Sequence, residues 1–320
     1  MTTDHGTGDD VIDDAAIQAF ADEFGDRATK LPPVAIVIAA FNEEGAIGPV
    51  VEALPAKAGG LEAVTIVVSD GAVDATAKEA REAGALVCDV PVNRGQGAAL
   101  RLGYRLAREG GAGYIVTTDA DGQYNPAEID SLLAPVVAGQ ADFVTGSRKL
   151  GSEETKDPVR KLGVRVFALA ISLLTGQRIS DTTFGLRAMR AEVTGAVRLE
   201  QPQYQAAELL IGVITHGYRV AERPATIHRR TVGKSKKGNN AFYALRFSQV
   251  VVGTWWRERQ RRAAGGKSRA RGERGLAGLP CAGTPLADGA TAAGTGAAAP
   301  APPVTRPARP AEPPRSANST

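Results

Sequence analysis

Three short apolar runs constrain this chain more than any other feature. Residues 34–38 (VAIVI), 65–68 (TIVV) and 114–118 (YIVTT) are rich in β-branched side chains, and segments of helical period separate them over 44–54, 74–84 and 97–109. Strands that are apolar on both faces and alternate with helices predict a mainly parallel sheet, Rossmann-like, with helices on both faces. Sheets of this kind bind ligands at the carboxyl ends of their strands. Each of the three runs leads straight into a polar cluster: AAFNEE at 39–44, SDGAVDAT at 69–76 and DADGQY at 119–124. One such cluster is commonly a helix cap. Three at corresponding strand ends converge on one edge and read as a site. No repeat of fixed period is present, so a solenoid is not supported.

The third cluster carries the strongest chemical signal. Asp119 and Asp121 stand two apart, with Gln123 at the same spacing, and in extended backbone such residues share a face. Hard divalent cations such as Mg²⁺ or Mn²⁺ take oxygen ligands from one or two carboxylates and leave other positions to water and phosphate oxygens, which makes a diphosphate the natural partner. Gly95-Gln96-Gly97 is weak as a dinucleotide fingerprint, because Leu100 stands where the third glycine belongs. His5, His216 and His228 form no metal set.

Composition sets the surroundings. The 320 residues, 43% hydrophobic and 23% charged with net charge +3, suit one large globular domain with tails. Acids crowd residues 1–30, predicting a mostly disordered N-terminal extension with one short, loosely docked helix through Val11, Ile12, Ile17, Phe20 and Phe24. Residues 31–260 form the domain, and the Ala/Pro/Arg-rich stretch 261–320 is expected to be a disordered tail. Cys88 and Cys281 have no CxxC partners, so neither a disulfide framework nor a zinc site is indicated and a reducing compartment fits. The acidic start lacks the pattern of a secretory leader, and the apolar stretches 166–174 and 241–256 fall short of the roughly 20 residues that span a bilayer. A cytoplasmic protein without a nucleic-acid partner is expected.

The motifs at 39–47 (AAFNEEGAI), 67–76 (VVSDGAVDAT), 93–104 (NRGQGAALRLGY), 114–129 (YIVTTDADGQYNPAEI), 144–149 (VTGSRK), 181–190 (DTTFGLRAMR) and 230–236 (RTVGKSK) together resemble the family 2 glycosyltransferases of GT-A fold. The resemblance covers about residues 33–256 and is nearest to the dolichyl- and polyprenyl-phosphate mannose and glucose synthases. It implies an inverting, metal-dependent hexosyltransferase, with a nucleotide-diphosphate sugar donor (GDP-mannose or a UDP-hexose) and a polyprenyl phosphate acceptor. By motif match it places Phe41, Asn42, Glu43 and Asp70 at the nucleoside, Gly97 and Asp119 with the donor, and Asp119, Asp121 and Gln123 on Mg²⁺ or Mn²⁺. Lys234 and Lys236 fall on a loop over the diphosphate, Arg148 and Arg160 at the lipid phosphate, and Asp121, Asp181 and Glu208 near the reaction centre. The family's usual lysine is here Gln96, so its cationic contact moves to Arg94 or is lost. Ser69-Asp70 and Gly71-Ala72 also depart from the usual acid pair and Gly-Ser.

Two rival readings stay open. One keeps fold and donor but transfers the sugar to a hydroxyl of a soluble molecule or glycan, with Asp181 as base; the other is a nucleotide-sugar-binding protein without turnover. Peripheral contact with the inner face of an anionic membrane is expected from residues 241–262. There Tyr243, Phe247, Val250, Val251 and Trp255 recur at helical spacing and Arg257, Arg259, Arg261 and Arg262 follow. The stripe from Tyr243 to Val251 equally suits a closing helix of the domain.

Overall fold

The computed structural model describes residues 6–154, 158–197, 199–201, 203–229 and 246–261. All of them fall in one compact unit, Met1–Gly272. Among the described residues eight strands form the sheet: β1 (Val34–Ala40), β2 (Lys57–Ala58), β3 (Leu61–Asp70), β4 (Leu86–Val90), β5 (Tyr114–Asp119), β6 (Phe143–Glu153), β7 (Arg187–Arg190) and β8 (Val220–Ile227). Across the sheet they run β4, β3, β1, β5, β7, β6, β8, and the short β2 pairs with the start of β3. The β1–β3, β1–β5, β3–β4 and β6–β8 pairs are parallel, while β7 runs against both β5 and β6.

Alternation along β1 shows how the sheet is covered. Ala35 and Val37 point to one core with α5 (Gln96–Glu109). Val34 and Ile36 point to the opposite core with α6 (Ile129–Val137), and Ile38 and Ala40 pack with Ile47 and Val51 of α3 (Ile47–Glu52) and with Ala80 of α4 (Thr76–Glu82). Every residue of β1 except Ala39 is buried, which is why the strand reads as one continuous apolar run. Gly103 lets α5 lie close on β1, since a Cβ there would stand 2.4 Å from Val37 Cγ1. On the far side, α7 (Pro158–Thr175), α9 (Gln205–Thr215) and the helix α10 over 246–261 share a cluster of Ile171, Ala207, Ile211, Phe247 and Val251. Phe247 and Val251 therefore face the domain, as a closing helix requires. α8 (Ala191–Ala196) packs beside α5.

The N-terminal segment departs from its expected disorder. Residues Gly6–Phe24 form α1, followed by α2 (Asp26–Thr29), and α1 lies on β4 with Ala16 and Phe20 buried in the main core. The reason is ionic as well as apolar. The acids that suggested a solvated tail are matched by arginines of the loop 91–95 and α5: Asp9 with Arg101, Asp13 with Arg94 and Asp14 with Arg105. Phe20 is 3% exposed, so Phe20→Ala is expected to destabilise the protein by about 3 kcal/mol through lost burial and the cavity left behind. Urea denaturation measures this; an unchanged midpoint would mean that α1 does not belong to the folded core.

Candidate active site

The parallel register brings the strand ends together. Ala39 lies beside Val68 of β3 and beside Asp119 of β5, so the loops after β1, β3 and β5 leave the sheet at one edge. These loops brace each other. Asn42, in a left-handed conformation at φ 51, accepts the Val73 N–H on its side-chain oxygen at 3.0 Å, and Glu43 N–H donates to Thr76 Oγ1 at 2.8 Å. Glu44 and Gly45 N–H reach Asp74 and Glu79. Asn42 and Glu43 thus sit on a stiff ledge beside Phe41.

The loop from β4 to α5 forms the next wall. Gly71, at φ +68, takes it in backbone contact, since a Cβ there would lie 2.2 Å from Asn93 N. Asp70 is 2% exposed, and its Oδ2 accepts the N–H groups of Arg94 at 3.0 Å and Gly95 at 2.8 Å. Burial raises the Asp70 pKa above the ordinary carboxylate value, against the pull of those two amides. Asp70 thus holds the wall of the site from beneath. Arg94 does not offer the cationic donor contact considered for it: its side chain is 6% exposed and pairs with Asp13 at 2.7 Å. Gln96 opens α5 instead, and its amide donates to Asp119 Oδ1 at 3.2 Å. Gly97 is buried one residue further on.

The carboxylate pair ends β5. Asp119 is half-buried and Asp121 is 6% exposed, and Asp121 Oδ1 accepts the Gln123 N–H at 3.1 Å. Gly185 leaves room for Asp119: a Cβ on it would stand 2.7 Å from both Asp119 Oδ2 and the Tyr124 hydroxyl. That hydroxyl accepts the Gly185 N–H at 2.8 Å, and burial, with Asp119 nearby, holds its pKa well above the usual phenol range. The Gln123 side chain turns away from the acids and donates to the His228 carbonyl at 2.9 Å, while His228 N–H returns to the Gln123 carbonyl. Gln123 therefore ties the end of β8 to the turn of the acid pair. Lys234 and Lys236 lie outside the described residues.

Arg148 and Asp181 meet further along the sheet. Arg148, on β6, is 7% exposed, and its Nε donates to Asp181 Oδ2 at 2.6 Å while Nη2 donates to Thr183 Oγ1 at 3.0 Å. Glu153 stands 3.5 Å from Nη1. Asp181 is fully buried and also accepts the Thr183 N–H, so its carboxylate holds Arg148 and is not presented as a base to an open acceptor site. Arg160 lies on α7, with its side chain outside the described residues. Glu208 is fully buried, and its partner is Arg257 of α10 at 2.5 Å; the Glu200 and Gln201 N–H groups donate to it as well. Two of the four arginines expected on lipid head groups are likewise engaged: Arg257 and Arg261 both pair with Glu200 and Glu258, while Arg259 lies over the Trp255 ring and Arg262 is outside the described residues.

The site thus gathers Asn42, Glu43, Asp70, Gly97, Asp119, Asp121 and Gln123 on one edge and keeps Arg148 with Asp181 as a separate buried pair. Sequence reasoning missed the Gln96 contact to Asp119, although Gln96 was legible as a departure from the family pattern, and it missed Asp13, for which spacing offered no signal. The two-layered covering of a mixed sheet, with a carboxylate pair closing a central strand, is the GT-A architecture of glycosyltransferases. The same fold is found in glucosyl-3-phosphoglycerate synthase from Mycobacterium tuberculosis, solved with UDP (TM-score 0.56, 20% identity, 74% of this chain and 84% of that one). It is also found in that enzyme solved with Mn²⁺, UDP and phosphoglyceric acid (TM-score 0.55, 20% identity, 75% and 82%).

Residues 35–198 match the profile of glycosyl transferase family 2, and the chain belongs to that family. It is 33% identical to a dolichyl-phosphate hexose transferase of Haloferax volcanii, over 63% of this chain and 86% of that protein. It is 32% identical to a polyprenol monophosphomannose synthase of Mycolicibacterium smegmatis, over 59% and 75%. Among the described residues no helix is long and apolar enough to cross a membrane.

The buried Arg148–Asp181 pair yields a stability test. Asp181→Ala strands a guanidinium without its carboxylate, and unfolding free energy is expected to fall by about 3–5 kcal/mol. Thr183→Val, which removes the hydroxyl that accepts from Arg148 and donates to Asp181 but leaves the ion pair in place, should lower it by less, about 1.5–3 kcal/mol. Chemical denaturation of the two variants side by side checks the ratio.

Proposed function

We propose that this glycosyltransferase moves a hexose from a nucleotide-diphosphate sugar to the phosphate of a polyprenyl phosphate, with inversion at the anomeric carbon. The observation that carries the donor half is the carboxylate pair Asp119 and Asp121 at the carboxyl end of β5, beside the first turn of α5. The acceptor half is supported by the relatives, several of which are named as polyprenyl-phosphate sugar transferases.

In this reading Phe41, Asn42 and Glu43 line the nucleoside, and Asp70 keeps the 91–95 wall in place against it. The fourteen-residue helix α5 starts at Gln96, and its N-terminus places partial positive charge where the diphosphate would lie. The donor set suits a hard cation: Asp119 and Asp121 would hold Mg²⁺ or Mn²⁺, with diphosphate oxygens and water completing the shell, because no third carboxylate or histidine joins the pair among the described residues. Bound there, the ion would screen the charge of the departing diphosphate. Gln123 would then act by fixing the turn against the end of β8, and Lys234 and Lys236 are proposed to contact the phosphates.

A phosphate acceptor is already anionic and needs orientation more than a base. Arg148, with Arg160, is proposed to supply it, and a phosphate that reaches Arg148 Nη1 must displace Glu153. Transfer to a soluble hydroxyl is the second reading. The structural likeness to an enzyme solved with phosphoglyceric acid favours it, but it needs a base other than the buried Asp181. Contact with an anionic membrane would fall to Val252 and Trp256, 55% and 58% exposed on α10, and to the basic stretch that follows. The work place proposed is the cytoplasmic side.

Purified enzyme incubated with radiolabelled UDP- and GDP-sugars, with and without polyprenyl phosphate, tests the whole reading: label should enter the organic phase only when the lipid is present. Label in a soluble product instead would transfer the case to the second reading. Activity should vanish with a chelator and return with Mg²⁺ or Mn²⁺, and Asp121→Ala should lower kcat by a factor of about 10² or more while the protein stays folded. Arg148→Ala should depress transfer to lipid far more than donor affinity, with Arg148→Lys restoring only part, since paired hydrogen bonding is lost. Equal loss of donor affinity would place Arg148 on the donor side.

A further inference from the structure

The charged contact between α1 and the 91–95 loop is more deeply buried than docking a helix requires. Asp13 and Arg94 have side chains 4% and 6% exposed and stand 2.7 Å apart, and Arg94 Nη1 also donates to the Asp9 carbonyl at 3.3 Å. A buried ion pair adds little stability over a well-packed apolar pair, because desolvation offsets the attraction. This one is not even fully satisfied: among the described residues Arg94 Nε and Nη2 and Asp70 Oδ1 have no hydrogen-bond partner, and Nε faces that same Oδ1 at 3.9 Å. Asp13 and Asp70 thus share one guanidinium, and Asp13 holds it. The backbone N–H groups of Arg94 and Gly95 meanwhile clasp Asp70 Oδ2, and the next residue, Gln96, touches Asp119. A continuous chain of contacts runs from α1 through Arg94 to Asp70 and, by way of Gln96, to Asp119.

We propose that α1 belongs to the frame of the donor site, with Asp13 as its positioning residue: through Arg94 it sets the 91–96 loop, and through that loop Asp70 and the Gln96 contact to Asp119. Nucleoside diphosphate binding and docking of α1 are therefore coupled. This rests on the donor reading above. Without the Asp13 charge, Arg94 is free to turn toward Asp70 and draw the loop with it, which changes the wall that the nucleoside meets without touching any group at the reacting atoms.

Cys88 supplies a reporter. It is buried beneath α1, its Sγ 3.7 Å from the Ala16 carbonyl, and burial pushes its thiol pKa up to about 12, so it reacts only when α1 lifts. In full-length protein carrying Cys281→Ser, the reaction of Cys88 with a disulfide reagent should slow when UDP or GDP is added with Mn²⁺, because coupling between two events is reciprocal. Asp13→Asn should raise KM for the nucleotide sugar and the dissociation constant of the nucleoside diphosphate by about tenfold with kcat within about twofold, and nucleotide should no longer protect Cys88. Asp13→Glu should recover most of the affinity, and Asp14→Asn, which removes an exposed charge at Arg105 away from the loop, should cost far less affinity than Asp13→Asn. Unchanged nucleotide affinity in Asp13→Asn, or Cys88 reactivity indifferent to nucleotide in the parent protein, would overturn the proposal and leave α1 a structural element only. A parent protein that binds neither UDP nor GDP would instead refute the donor reading itself and this inference with it. Should Asp13→Asn fail to fold, nucleotide protection of Cys88 in the parent decides alone.

Discussion

The register of β1 against its two neighbours governs everything at this edge. Because Ala39 is level with Val68 and with Asp119, three strands end together, and each releases a loop into the same space. A shift of one residue along β1 would turn its apolar faces inside out, since Ala35 and Val37 serve one core and Val34 and Ile36 the other. The two cores hold the register, and the register holds the site. Gly103 and Gly71 mark where this demands close approach: a helix against β1 in the first case and two loops back to back in the second.

Polar groups at the edge divide into those that build the site and those that face it. Asp70, Gln123 and Asp181 might all be taken for ligands by residue type, yet each is bonded within the protein: Asp70 to two backbone amides, Gln123 to the end of β8, Asp181 to Arg148. Buried carboxylates need such partners, because an uncompensated charge in the interior is costly. Asp119 differs in being half-buried at the end of β5, where the Gln96 amide meets it and the lack of a side chain at Gly185 leaves it room.

The N-terminal helix shows how charge misleads when read along the chain alone. Acids at 9, 10, 13 and 14 resemble the composition of a solvated tail. In the fold three of them meet Arg94, Arg101 and Arg105, which the chain supplies some ninety residues later, and Phe20 fills the core behind them. The arginines of α10 follow the same rule. Arg257 and Arg261 look like a membrane-facing run beside Trp255 and Trp256, but Glu200 and the buried Glu208 and Glu258 claim them, while Trp256 stays outside.

What the sequence determined by itself is the part written in local periodicity and in ordered motifs. Strands β1, β3 and β5, helices α3 to α5, the glycosyltransferase family and the acid pair at the end of β5 were all legible, because apolar runs, helical spacing and a strand-terminal Asp-x-Asp depend on neighbours within a few residues. Only the tertiary structure decided which acid meets which arginine, which way Gln96 and Gln123 turn, that β7 runs backwards between β5 and β6, and that α1 is docked. Those outcomes hang on contacts between residues tens of positions apart. Their partners are chosen by the packing of the sheet and its helices, and no local pattern encodes that choice.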